Sequence, residues 1–130
     1  MQLQGIDHIV LRTSNVERLV EFYQGVLGAQ LERVLDEEGL YQLRAGSALI
    51  DILSTEGSLD SGGEPNYEQS PLAHVCLQII AASEQAVFRH LRRCNVMQPL
   101  KFETRYGATG FGRSVYILDP DGNTLELKLV

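Results

Sequence analysis

Two histidines and two acids recur at matching places in this chain, and the recurrence limits the folds open to it. The segments I-D-H-I-V-L (6–11) and L-A-H-V-C-L (72–77) place His8 and His74 at the same point of a strand-like alternation. The segments L-I-D-I-L (49–53) and T-L-E-L-K (124–128) place Asp51 and Glu126 at another shared point. A weak internal repeat predicts that positions come in pairs, so it constrains more than any single element does.

Between these landmarks each half reads as βαβββ. In the first half, residues 5–13 alternate as a strand. Ser14-Asn15-Val16-Glu17 has the form of a capping box, and Val16, Leu19, Val20, Tyr23, Val26 and Leu27 follow at helical spacing up to Gly28. Strands are expected at 30–36, 40–45 and 48–54, with turns at Glu37-Glu38-Gly39 and Ala45-Gly46-Ser47. In the second half a strand spans 71–80. Ser83 caps a helix of about 84–94, and strands fall at 98–103, 113–118 and 123–129. Asp119-Pro120-Asp121-Gly122 suits a type I turn before the last strand. The expected division is a first module (1–54), a polar linker (55–70) rich in Gly and Ser, and a second module (71–130), in one α+β domain.

Alternation sorts the side chains into faces. Leu125, Leu127 and Leu129 oppose Glu126 and Lys128; Val75, Leu77 and Ile79 oppose His74, Cys76 and Gln78; Ile9 and Leu11 oppose His8 and Arg12; Val115 and Ile117 oppose Ser114 and Tyr116. The apolar faces are expected to carry the helices and the mixed faces to line a concavity. Two imidazoles with one or two carboxylates form a donor set suited to Fe, Mn, Co, Ni or Zn as divalent ions. A lone strand histidine or acid is ordinarily a hydrogen-bonded or solvated residue; it is the pairing across the repeat that raises the metal reading.

Composition narrows the partners. A charge of −6 without a basic run argues against nucleic acid. No apolar run reaches membrane-spanning length, and the start MQLQGIDHIV lacks the pattern of a signal peptide, so a cytoplasmic location is expected. Cys76 and Cys94 form no C-x-x-C and read as reduced thiols. The stretch TRYGATGFGR (104–113) has no G-K-[ST]; it reads as a flexible flap whose Arg105, Tyr106 and Arg113 would meet an anionic substrate. Gln78 and Tyr116 would orient substrate oxygens from the mixed face.

GIDHIVLRTSNVERLVEFYQGVLG (5–28), LAHVCLQI (72–79) and YILDPDGNTLELK (116–128), with the paired βαβββ layout, resemble the vicinal oxygen chelate superfamily of glyoxalases, fosfomycin thiol transferases, extradiol dioxygenases and bleomycin-resistance proteins. The resemblance implies a curved eight-stranded mixed sheet around a metal-containing cleft, with helices on the outer face. It implies His8, His74, Glu126 and Asp51 as metal ligands, and Glu126 with Asp51 as the catalytic carboxylates. It implies a metal-dependent lyase or isomerase acting on a small substrate with vicinal oxygens, and a homodimer. Arg12 falls where glyoxalase I binds the carboxylate of glutathione. Thr55 stands where that enzyme has Asn, and its neighbouring Trp is missing, which points to another oxygenated substrate. The family's other activities stand as alternatives: an extradiol-type dioxygenase, a fosfomycin-type thiol transferase, and a drug-binding protein without catalysis.

Overall fold

The structure is a computed structural model that describes residues 1–60, 62, 63, 65 and 70–130; part of the expected linker lies outside the described residues. The chain forms two compact units, Met1–Asn66 and Tyr67–Val130. Each has the order βαβββ and builds a four-stranded mixed sheet, so the eight strands are carried as two sheets.

The first unit contains β1 (His8–Thr13), α1 (Val16–Gly25), β2 (Gln30–Leu35), β3 (Leu40–Ala45) and β4 (Ala48–Ser54). Its strand order is β1-β4-β3-β2, with β1 and β4 parallel and the other pairs antiparallel. The parallel pair needs a crossover, and α1 supplies it. The helix packs its buried Leu19 and Tyr23 toward β2, β3 and β4. Beneath it Leu11, Leu43, Ile50 and Ile52 are buried on one sheet face. The helix starts one residue later than the capping box predicts. Asn15 is the cap, accepting from Arg18 N–H at 3.2 Å, because the Thr13 hydroxyl already accepts from Asn15 N–H and turns the chain there. Gly28, at φ +74°, ends it by donating to the Gln24 carbonyl.

Both expected turns of this unit form, with Gly39 and Gly46 at positive φ. Gly57 lies against the first of them. A Cβ there would come within 2.2 Å of the Glu38 carbonyl, so the segment after β4 packs backbone to backbone on the β2–β3 turn.

The second unit contains β5 (Val75–Ile79), α2 (Glu84–Arg93), β6 (Glu103–Gly107), β7 (Gly110–Leu118) and β8 (Thr124–Leu129), in the order β5-β8-β7-β6. Ser83 caps α2 through Ala86 N–H. Asn95, at φ +59°, closes its far end, where Val96 N–H reaches Leu91 and Asn95 N–H reaches Arg92. Glu84 in the first turn and His90, Arg92 and Arg93 in the last suit the helix dipole.

The expected strand at 98–103 is corrected to Glu103–Gly107, and the expected flap at 104–113 to a tight hairpin of β6 with β7. Pro99 has no N–H to give a ladder, so pairing begins beyond it. Gly110, at φ +80°, takes the conformation that a turn of Ala108 and Thr109 needs. The last turn forms as expected. Gly122 N–H donates to the Asp119 carbonyl, while the Asp119 carboxylate accepts from the N–H groups of Asp121 and Asn123. That staple fixes the start of the strand bearing Glu126.

Candidate metal-donor faces

The two units repeat one construction. In the first, β1 pairs Val10 with Asp51 of β4, and His8 lies two residues earlier, on the same face as Val10. In the second, β5 pairs Cys76 with Glu126 of β8, and His74 again lies two residues earlier. The strand on the other side of each acid presents a donor directly opposite. Gln42 of β3 pairs with Asp51 and donates through Nε2 to Oδ2 at 3.0 Å; Tyr116 of β7 pairs with Glu126 and donates its hydroxyl to Oε2 at 3.0 Å. The repeat seen in the sequence is thus a repeat of register, and register puts one imidazole and one braced carboxylate on the helix-free face of each sheet.

In the second unit His74 Nε2 lies 3.2 Å from Glu126 Oε2, with its ring edge-on to Tyr116. Two donors about 2.1 Å from one ion, at right angles, lie about 3 Å apart, so this spacing suits joint ligation. Burial pushes the Glu126 carboxyl up. The hydroxyls of Ser114 and Tyr116 and the charges of His74 and Arg105 outweigh it, and the pKa falls below its ordinary value. A carboxylate kept ionised suits a ligand better than a base working near neutrality, whose pKa would be raised.

In the first unit Asp51 is 4% exposed, and its Oδ1 has no hydrogen-bond partner. A buried acceptor left in this state costs about 1–3 kcal/mol, and a cation would satisfy it. His8 Nδ1 lies 2.6 Å from Asp7 Oδ1, which leaves Nε2 to face a ligand. The Asp7 hydrogen bond, with the charge of Asp51, raises the His8 pKa against the opposing effect of burial. The donor chemistry of all four residues fits a divalent ion. Among the described residues no ready group of three or more His, Cys, Asp and Glu side chains is found; each unit offers a histidine with an acid.

The other expected site residues divide. Arg105 shares the face of Glu126, with its guanidinium 5.9 Å from the centroid of the Tyr116 ring and an ion pair to Glu103. Gln78 is exposed on the same face, opposite Lys128. Tyr106 and Arg113 lie on the other face, because hairpin pairing fixes their alternation. Arg113 donates to Glu84 of α2 at 2.7 Å and to the Phe102 carbonyl at 3.0 Å, and Tyr106 stacks edge-on with Phe111. The flap reading had grouped Arg105, Tyr106 and Arg113; the hairpin separates them.

Arg12 is engaged within its own unit. It holds Asp60 through two hydrogen bonds, of 2.6 and 2.8 Å, and donates to the carbonyls of Gly62 and Gly63. The guanidinium brings the Asp60 carboxyl down to about 2, with Gly62 N–H assisting. A depressed folded pKa stabilises the fold fully above the unfolded value and loses that effect as pH falls through the folded one. Asp60→Asn is therefore expected to be less stable than the parent at neutral pH and to converge with it between about pH 4 and pH 2. Urea midpoints across that range measure this; a difference independent of pH would contradict the role given to the pair.

Asp7, Gln42, Ser114 and Lys128 were not singled out in the sequence as site residues. For Gln42 the signal was its place on the middle strand opposite Asp51, which becomes visible once register is known.

A βαβββ unit used twice, each with a histidine and a braced acid on the helix-free face, defines the class. The chain belongs to the Glyoxalase/Bleomycin resistance protein/Dioxygenase superfamily, whose model matches residues 5–127. It is 28% identical over 128 residues to virulence protein STM3117 of Salmonella typhimurium, covering 98% of this chain and 85% of that protein. The crystal structure of STM3117 aligns with a TM-score of 0.73 at 27% identity, covering 99% of this chain and 98% of the other. The fosfomycin resistance protein FosX of Listeria monocytogenes shares the fold (TM-score 0.67, 23% identity, 99% and 95% covered). So does a lactoylglutathione lyase of Agrobacterium tumefaciens (TM-score 0.62, 19% identity, 98% and 95% covered). Members of the superfamily commonly bind divalent metals. Among the described residues no helix is long and apolar enough to cross a membrane.

Proposed function

We propose that this chain is a metal-dependent, glyoxalase-like lyase or isomerase acting on a small substrate with two neighbouring oxygens, with His8, Asp51, His74 and Glu126 as its metal donors. The observation that carries the reading is the duplicated register: in each unit a histidine and an acid share one face, and the acid is braced from the strand opposite. A bound divalent ion would supply a Lewis acid for negative charge developing on substrate oxygens. Glu126, kept ionised and held by the Tyr116 hydroxyl, serves as a fixed anionic donor. Asp51 keeps Oδ1 available as an acceptor while Gln42 holds Oδ2, which makes it the better placed carboxylate to receive a proton. Arg105 adds positive charge beside Glu126 on the same face. We place the enzyme in the cytoplasm as a homodimer.

The test is the ion itself. Purified protein supplied with Ni²⁺, Zn²⁺, Mn²⁺, Co²⁺ or Fe²⁺ and freed of excess should retain a stoichiometric amount of at least one of them. His74→Ala should weaken its binding by about a hundredfold, since even outer-shell partners of metal ligands are worth about 10–100-fold. Protein that retains no ion above background would end this reading. A lyase or isomerase consumes no oxygen, so oxygen uptake with a catechol would instead favour the dioxygenase alternative.

A further inference from the structure

Lys128 lies two residues beyond Glu126 on the same face, yet it is 3% exposed. Its stem runs beneath the β6–β7 hairpin. A Cβ at Gly112 would come within 2.7 Å of Lys128 Cε, and one at Gly107 within 3.1 Å of Nζ. The glycines that made this stretch look like a loose flap are the ones that make room for the lysine. Nζ donates to the Gly110 carbonyl.

An ammonium has three N–H donors and a full charge. Among the described residues its one hydrogen-bond acceptor is that carbonyl, and no carboxylate is paired with it. Burying a cation without a counter-anion is costly. A second group beside it is also unspent. Ser114 pairs directly with Lys128 across β7 and β8, is fully buried, and its Oγ has no well-formed hydrogen bond. Arg105, with a half-exposed side chain, lies on the same face toward Tyr116. Two cations and a hydroxyl donor thus stand on one face beside the acid.

We propose that Lys128, Ser114 and Arg105 form a subsite for an oxyanion, a carboxylate, phosphate or phosphonate group carried by the substrate beside its neighbouring oxygens. The anion supplies the missing counter-charge of Lys128 and accepts from its remaining N–H donors. The inference rests on taking the face of Glu126 as the substrate face, but it requires no metal, so the two readings can fail separately.

The experiment titrates the full chain, treated with EDTA, with inorganic phosphate and with acetate in a calorimeter. At least one should bind, and Lys128→Met should weaken that binding by about tenfold or more, as expected when a charge-assisted hydrogen bond is lost. Lys128→Met should also keep or raise the urea midpoint, because an apolar chain of similar length replaces an uncompensated buried charge. Anion affinity that persists in His74→Ala supports the subsite independently of the ion. Failure of both anions to bind the parent protein, or equal affinity in Lys128→Met, overturns the proposal. Should Lys128→Met not fold, Arg105→Met, at a half-exposed position, carries the same test with the same outcomes.

Discussion

Glu126→Gln is expected to lower metal affinity by about a thousandfold while leaving the fold intact, a larger loss than the 10–100-fold typical of outer-shell partners. The substitution keeps size and shape. The amide oxygen can still accept from the Tyr116 hydroxyl, which lies 3.0 Å from Oε2, and β8 keeps its pairing with β5 and β7. What it removes is the negative charge, which the surrounding hydroxyls and cations hold in place against burial. A divalent ion then faces a neutral, weaker donor next to His74. Tyr116→Phe should fall between parent and Glu126→Gln, because it removes only the brace on the carboxylate and leaves its charge. Competition titration against a metal-chelating dye gives the three affinities. Parent-like affinity in Glu126→Gln would remove Glu126 from the donor set.

Tyr23→Ala should cost about 3–5 kcal/mol, the range for deleting a fully buried aromatic. Tyr23 is 0% exposed in α1 and meets Phe22 edge-on, with ring centroids 5.5 Å apart. Its helix covers the apolar face of the first sheet, where Ile50 and Ile52 flank Asp51 on the neighbouring positions of β4. The cavity would open beneath the crossover that holds β1 parallel to β4. Against a total stability of about 5–15 kcal/mol for an ordinary domain, such a loss approaches unfolding. Urea denaturation at neutral pH checks it, and a loss below about 1 kcal/mol would show that α1 is not the main cover of that face.

Much of the architecture was written into local pattern. Alternation placed β1, β3, β4, β5 and β8, helical spacing placed α1 and α2, and glycines marked the turns at Gly39, Gly46 and Gly122. The errors gathered where one residue type has two uses. Gly107, Gly110 and Gly112 suggested looseness. In the folded chain Gly110 supplies a turn conformation, and the other two admit a lysine. Ser14 had the spacing of a cap, but Thr13 took Asn15 N–H first and moved the helix start by one residue.

The site was legible to the same depth. His8, Asp51, His74 and Glu126 could be paired from the sequence because a strand period of two assigns a face to every residue. The partners of those acids could not be read, since they come from strands remote in the chain whose register only pairing sets. Gln42 meets Asp51, and Tyr116 meets Glu126, by that means. Pairing also sent Arg113 to Glu84 and away from the acid face, committed Arg12 to Asp60, and buried Lys128 under the hairpin. By itself, then, the sequence determined the two βαβββ units and the four metal-donor candidates. Tertiary structure alone decided which long side chains remain free for a ligand, because an arginine or lysine can reach several partners and only packed neighbours select one.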